Sequence, residues 1–455
     1  MKRNLTNYWL VLSLLVVLFS CSDEPIFEPL LTTNLETTEL NFTKLGGTQE
    51  FELESNEIWS IGTVPEWIFV KVEDVATATR STTYVEGIKK ILITVSPNTG
   101  QEARKAEILF SSASGKTVKL VIEQDKTAKL IGYWILSEGY GNSNTSELAW
   151  YDVETGELSV KQFKARNEKE LGDTGNDLKI YGSKMYCVVT GPGFGDTATE
   201  GTNYIEVINP ANGKSIKRIP FTDASGKPAK PRNIIFAGGK GYVSSYSNEV
   251  VRIDTATLAL DAHATLSGTL SEGLAVSNGN IYVCNSGQGA DNKISVVDME
   301  TMKETKVITT ANNPTGIVAV GTDKLYFNTN YPDYNVYEMK IADTSISQVE
   351  GLKASNITYS NGLVYSNNFD WNTYEGALNF LDPATNKVSK LLLDMESVGI
   401  RMMMEYKMGK INGSNDLFLT GMGDDVIIID PETKSIKQAF KTKVPNSSGV
   451  VAYYN

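Results

Sequence analysis

A single histidine and three cysteines supply everything this 455-residue chain has of the side chains that most often build catalytic triads and zinc sites. There is no Cys-x-x-Cys pair and no His-Glu-x-x-His segment, so zinc has no support. His263, within Ala262-His263-Ala264, would have to serve any Ser-His-Asp triad alone; a packed or solvated ring is the expectation. Cys187 and Cys284 lie in separate apolar segments and are expected to be buried small residues rather than a disulfide. Positive charge is also short: 42 Lys and Arg face 54 Asp and Glu, a net of -12. That excludes attraction to nucleic acid or anionic headgroups through bulk charge. The apolar run Tyr8–Phe19 is too short to span a bilayer as a helix. No catalytic residue, metal or cofactor is expected, and the chain is not expected to be an enzyme.

What is abundant is short apolar runs separated by turn residues. Ser271–Thr310 shows the unit most clearly. Its runs Gly273–Val276, Ile281–Cys284, Ile294–Asp298 and Thr305–Ile308 each have the length of a strand, and Asn278-Gly279 marks a hairpin. One such meander is too small to be stable, so copies must share a core. An aliphatic or small residue followed by an aromatic recurs at Met185-Tyr186, Gly241-Tyr242, Ile281-Tyr282, Leu325-Tyr326, Val364-Tyr365 and Leu417-Phe418. A turn headed by Asp or Asn recurs at Asp152, Asn209, Asp254, Asp298, Asp382 and Asp430, where the side chain can accept from backbone N–H groups two residues on.

The spacing of roughly 40–48 residues is that of propeller blades. Seven blades are expected: 130–165, 176–221, 232–266, 271–310, 314–350, 356–394 and 402–440. The first lacks an opening strand, and the spare terminal run Gly449–Tyr454 can supply it. The fold class is therefore all-β: an N-terminal Ig-like β-sandwich, then a seven-bladed β-propeller over 130–455 closed by the C-terminal strand.

Upstream, Met1-Lys2-Arg3 and the apolar run after it read as a lipoprotein signal peptide over residues 1–20. Leu18-Phe19-Ser20-Cys21 resembles a lipobox, which makes Cys21 the lipidation site. Removing residues 1–20 takes away Lys2 and Arg3 and no acid, leaving a net of -14. Ser22-Asp23-Glu24 resembles the export tag of Bacteroidetes surface lipoproteins. The resemblance implies an outer-membrane protein facing the extracellular side, held to the membrane through its lipid anchor only. Residues 21–34 read as a tether. Residues 35–125 alternate as strands, with turns at Gly46-Gly47, Pro97-Asn98 and Ser114-Gly115. Gly46-Gly47-Thr48, Trp59, Pro65-Glu66-Trp67, Ser96-Pro97-Asn98, Arg104-Lys105-Ala106 and Ile122-Glu123-Gln124 together resemble a BACON domain. That family's name implies carbohydrate binding, while Trp59 and Trp67 sit where core aromatics are expected, so spacer and glycan site both stay open.

Weaker chemical signals are scattered along the rest. Gly191–Gly195 looks like a phosphate loop but precedes no helix. Asp173–Asp177 and Asp424-Asp425 lack calcium-loop spacing and are expected to be turns. Paired carboxylates for glycoside hydrolysis are not indicated. The loops between second and third strands of each blade, together with the blade-to-blade connections, carry instead an unusual set of large side chains. These give the ligand-binding candidates: Tyr140, Asn142, Phe194, Arg232, Tyr246, Glu272, Asn285, Asn330, Tyr331, Tyr334, Phe369, Trp371, Tyr374 and Arg401. Flat aromatic faces beside amides suit a bulky planar or polyol ligand.

Leu136-Ser137-Glu138-Gly139, Glu170-Leu171-Gly172-Asp173-Thr174, Pro231-Arg232-Asn233, Glu272-Gly273-Leu274, Tyr282–Gly287 and Asn313-Pro314 resemble the YncE-like propellers of Bacteroidetes surface lipoproteins. The resemblance implies capture of a bulky nutrient, a corrinoid or other metal chelate, and delivery to a TonB-dependent outer-membrane transporter. The alternative expectation is a glycan-binding lipoprotein of a polysaccharide-utilisation system.

Overall fold

The computed structural model describes residues 27–73, 83–84, 86–98, 102–125, 129–193, 195–370, 373–400 and 404–455. Residues 1–20, read above as a signal peptide, and Cys21, Phe194, Trp371 and Arg401 fall outside these residues. The chain divides into two compact units, 1–127 and 128–455. Among the described residues, no helix is long and apolar enough to cross a membrane.

The first unit is built from β1 (Leu31–Thr33), β2 (Glu39–Phe42), β3 (Gly47–Ser55), β4 (Trp59–Ile61), β5 (Ile68–Glu73), β6 (Thr83–Tyr84), β7 (Gly87–Val95), β8 (Arg104–Ser112) and β9 (Thr117–Gln124). They form two sheets, ordered β1-β3-β7-β5 and β2-β9-β8-β4-β6. The period-two alternation sends Phe51, Leu53, Ile91, Ile93, Ile108, Phe110, Leu120 and Ile122 into one core. Trp59 belongs to that core: it stacks on Tyr84 at 4.6 Å and lies 6.0 Å from Phe110. Trp67 is half-buried, with the Arg104 guanidinium 4.6 Å over its ring. The fold begins earlier than the alternation indicated. Leu31, in the stretch read as tether, is buried as β1 pairs with β3; three residues are too few to show a period.

The second unit is seven four-stranded antiparallel sheets. The first combines β10 (Leu130–Ser137), β11 (Glu147–Asp152) and β12 (Leu158–Ser159) with the C-terminal strand Ser447–Tyr454, which pairs with β10. The expected terminal strand is thus in the place the sequence left vacant. The other six are consecutive meanders. Their lead strands are Gly175–Tyr181, Pro231–Ala237, Ser271–Ser277, Pro314–Val320, Asn356–Ser360 and Glu405–Lys410. Each lead strand contacts the next, and the C-terminal strand contacts those of the second and seventh sheets.

Apolar layers fill the spaces between sheets. Trp134, Leu136, Leu178, Met185 and Cys187 lie between the first and second; Tyr365, Leu378, Leu417, Leu419 and Ile427 lie between the sixth and seventh. Burying each aliphatic side chain stabilises by about 1.5–3 kcal/mol, which no lone meander achieves. The turn chemistry is as expected. Asp152 accepts from Glu154 N at 3.0 Å, Asn209 from Ala211 N at 2.9 Å, Asp254 from Ala256 N at 2.9 Å and Asp430 from Glu432 N at 2.9 Å. The first sheet departs from the pattern: its outer strand stops at Ser159, and a short helix, α1 (Gln162–Asn167), follows where strand was expected. Phe163 anchors that helix, fully buried, with its N–H donating to the Glu147 carboxylate at 3.1 Å.

Candidate functional site

In an antiparallel meander the start of the lead strand and the loop between the second and third strands lie at one end of the sheet. At that end the lead strands of six sheets lose register. Asn176, Arg232, Glu272, Thr315, Tyr406 and Ser448 each fall within a register shift. A β-bulge frees a residue from the ladder and re-aims its side chain. The sixth sheet is the exception, where Asn356 pairs regularly with Asn367.

These strand starts touch one another in turn. Ser448 Oγ donates to Gly175 O at 2.5 Å, and Asn176 Nδ2 donates to Arg232 O at 2.5 Å. Arg232 Nε donates to Glu272 Oε2 at 3.1 Å. Gly273 admits no Cβ, which would run into Thr315 O. Asn328 Nδ2 donates to Ser355 O at 3.4 Å, and Asn356 Nδ2 to Tyr406 O at 2.9 Å. Thr420 Oγ1 donates to Ser447 O at 2.6 Å. This circuit passes through all seven sheets and defines a mouth.

Most ionic groups of the mouth are bonded to neighbouring side chains or strand starts. Tyr246 OH donates to Glu272, and the Arg232 guanidinium sits 4.7 Å over the Tyr246 ring. Burial would lower the Arg232 pKa, but the Glu272 carboxylate and Tyr246 outweigh it and hold the guanidinium above its ordinary value. Burial, then the charge of Glu272, pushes the Tyr246 phenol up, keeping it a donor. Tyr406 OH donates to Glu138 in the same way; burial and that carboxylate raise its pKa well above the usual. Lys407 Nζ reaches Asn176 O at 2.7 Å, linking the seventh sheet to the second. Burial lowers its pKa, and Asp177 partly offsets this. Asp177 stays acidic because Lys179 and Lys407 together overcome its burial.

The structure gathers Arg232, Tyr246 and Glu272 into one cluster and distributes the other described candidates over the loops and strands near it. Tyr140, Tyr331 and Tyr374 are exposed, at 67%, 72% and 62%, on second-to-third-strand loops of the first, fifth and sixth sheets, all at the mouth end. Asn142 is exposed and its Oδ1 accepts from Gly193 N at 2.7 Å, tying two loops together. Asn330 is exposed, and its Oδ1 accepts from Tyr331 N. Tyr334 is half-buried. Asn285 is fully buried; it accepts from Ser271 Oγ at 2.8 Å and donates to Ser295 Oγ at 2.9 Å, so its amide serves the sheet rather than the surface. Phe369 is buried as well, with Tyr374 edge-on to it. Glu138, Asn176, Tyr406 and Lys407 were missed from sequence. Asn176 and Tyr406 hold the second place of their lead strands, as Arg232 does, and Lys407 follows Tyr406, so aligning the strand starts finds these three; Glu138 follows a second strand and carries no such signal.

His263 Nδ1 lies 3.1 Å from Glu249 Oε2 on an outer strand. Cys187 and Cys284 are buried free thiols. Asp173 accepts from Asn144 N at 2.8 Å, and Lys441 pairs with Asp425 at 2.7 Å. Among the described residues no group of His, Cys, Asp and Glu is arranged to hold a metal.

Residues 57–125 match the protein-family model BACON, "Putative binding domain, N-terminal". Residues 57–125 form a BACON domain. Its sandwich also includes β1, β2 and β3, which precede the matched stretch. A cleft of about 430 Å3 opens on the BACON domain between Asn41–Thr43, Arg104, Lys105 and Glu123–Asp125. Its polar groups hold the scaffold: Arg104 Nη2 donates to Gln124 Oε1 at 2.7 Å, and Gln124 Nε2 to Ser96 O at 2.9 Å. No curated protein matches the chain. Among solved structures, a chain of Kuenenia stuttgartiensis Hydrazine Synthase is similar, with 15% identity and a TM-score of 0.47 over 61% of this chain and 89% of that one.

Proposed function

We propose that the seven sheets are the blades of a closed, YncE-like propeller and that its mouth captures a bulky nutrient without chemical change. The circuit of contacts through all seven strand starts carries this reading. It supports a floor that is rigid, packed and neutralised from within, beneath exposed tyrosines on three surrounding loops. A ligand held there gains ring contact at the periphery and meets the paired charges of Arg232 and Glu272. A corrinoid or another metal chelate has the breadth for such a platform. On this proposal the chain is a surface lipoprotein, anchored through Cys21, that passes its cargo to a TonB-dependent outer-membrane transporter.

The test is titration of the protein with cyanocobalamin, a ferric catecholate chelate and a soluble oligosaccharide, following quenching of intrinsic fluorescence. Saturable quenching by one of the chelates, weakened about ten-fold or more by Tyr331→Ala at an unchanged melting temperature, is the expected result. Saturable binding of the oligosaccharide alone would replace the chelate by a glycan. Product formation would overturn capture without chemistry.

A further inference from the structure

Six described residues carry buried side-chain polar atoms without a hydrogen bond, and four of them flank the sixth sheet. Asn328 Oδ1 and Ser366 Oγ lie on its side toward the fifth sheet. Asn367, with both amide atoms bare, and Glu405, with Oε2 bare, lie on its side toward the seventh. The register fixes that placement. Asn367 pairs with Leu378, which packs against Met408 and Leu419 of the seventh sheet. Phe369 pairs with Gly376, and a Cβ at Gly376 would run into Glu405 Oε1. The Glu405 carboxyl therefore occupies space that a side chain at position 376 would fill, one diagonal step from Asn367.

Asn367 is fully buried and Glu405 is 7% exposed. Native structures leave few such atoms without a partner, because each costs its full desolvation. Here three converge at the boundary that adjoins the mouth. Asn356, at the strand start, pairs directly with Asn367, and its amide bridges to Tyr406. The sixth sheet's lead strand is also the one without a bulge, and Asn356 stays in regular register opposite Asn367.

We propose that Asn367 and Glu405 form a buried subsite, entered from the mouth past Asn356, for an uncharged group that carries hydrogen-bond donor and acceptor together. A primary carboxamide or a vicinal diol has that chemistry. Such a group accepts from Asn367 Nδ2, donates to its Oδ1, and exchanges one further bond with Glu405 Oε2. Burial raises the Glu405 pKa to about 7, so that below this pH its carboxyl meets an uncharged group without stranding a charge. This subsite rests on the mouth being the binding face, and it assigns to that face a preference for neutral polar substituents.

Saturation-transfer NMR on the full chain at pH 6, with acetamide and with ethane-1,2-diol as probes, tests it. Saturation of at least one probe is expected, falling five-fold or more in Asn367→Leu and three-fold or more in Glu405→Leu, which removes the carboxyl's hydrogen bonding. The control Ile216→Ser, on an outer strand, should leave it unchanged. A response to acetamide alone assigns carboxamides, and a response to the diol alone assigns a polyol. No saturation, or signals equal in wild type and Glu405→Leu, overturns the subsite even if Asn367→Leu fails to fold. Bulky chelates that fail to bind while the probes still respond would sink the capture reading and leave the subsite standing.

Discussion

The Arg232 guanidinium meets the Glu272 carboxylate at 3.1 Å, although the two residues start the lead strands of different sheets. Both side chains are more than four-fifths buried, and Tyr246 closes the pair by donating to the same carboxylate. Breaking such a pair from one side costs about 3–5 kcal/mol, because the remaining charge stays buried. Arg232→Met should therefore destabilise the chain by roughly 3 kcal/mol, and adding Glu272→Leu should restore most of it. Denaturant unfolding of the two singles and the double checks this; additive losses would mean the pair does not couple the sheets.

Removal of Gly449–Asn455 takes away Val450, Val451 and Ala452, all buried, and most of the ladder with β10. Two valines and an alanine contribute about 4–6 kcal/mol by burial alone. The melting temperature should drop by on the order of 10 °C or more. A melt unchanged by the truncation would show that the terminal strand closes nothing.

Stability should fall as pH rises from about 4.5 to 7. Burial raises both Glu147 and Glu405 to about 7, against the lowering influence, at Glu147, of N–H groups from Phe163 and Leu148. Between the ordinary carboxyl value and 7 the folded chain holds more protons than the unfolded one. Its stability is thus greatest below that window, declines through it and levels above 7. Glu147→Gln and Glu405→Gln should each flatten the profile, by roughly 2 kcal/mol at most. Urea unfolding at pH 5 and pH 8 reads the difference.

Trp59→Ala should cost about 3–5 kcal/mol in the sandwich, since it empties a fully buried ring site against Tyr84 and Phe110. Hydrogen exchange should rise in β4 and β8, which pair at Trp59, while strands beyond residue 128 keep their protection. Equal loosening of both units would contradict their separate cores.

Much of the architecture was legible because its cause is local. Alternation at Ile281–Cys284 or Ile294–Asp298 dictates a strand, and an Asp at 254 or 430 caps its turn with its own carboxylate. The spare run at Gly449 pointed to its partner because β10 otherwise had an empty edge. The first sheet's short helix was not legible, since Phe163 selects it only through burial against Leu171 and Trp134.

Residue by residue, the sequence determined that the chain makes repeated strands and places tyrosines on loops at one end, because periodicity and turn chemistry act over a few neighbours. It could not say that Asn285 and Phe369 point inward while Tyr331 points out, nor that Arg232 would find Glu272 and Lys407 would reach Asn176. Those choices depend on bulges and on the approach of strands far apart in the chain. Only the tertiary structure decided them, because a buried charge or amide is satisfied by whatever the neighbouring sheet brings within 3 Å, and the distance along the chain carries no trace of that.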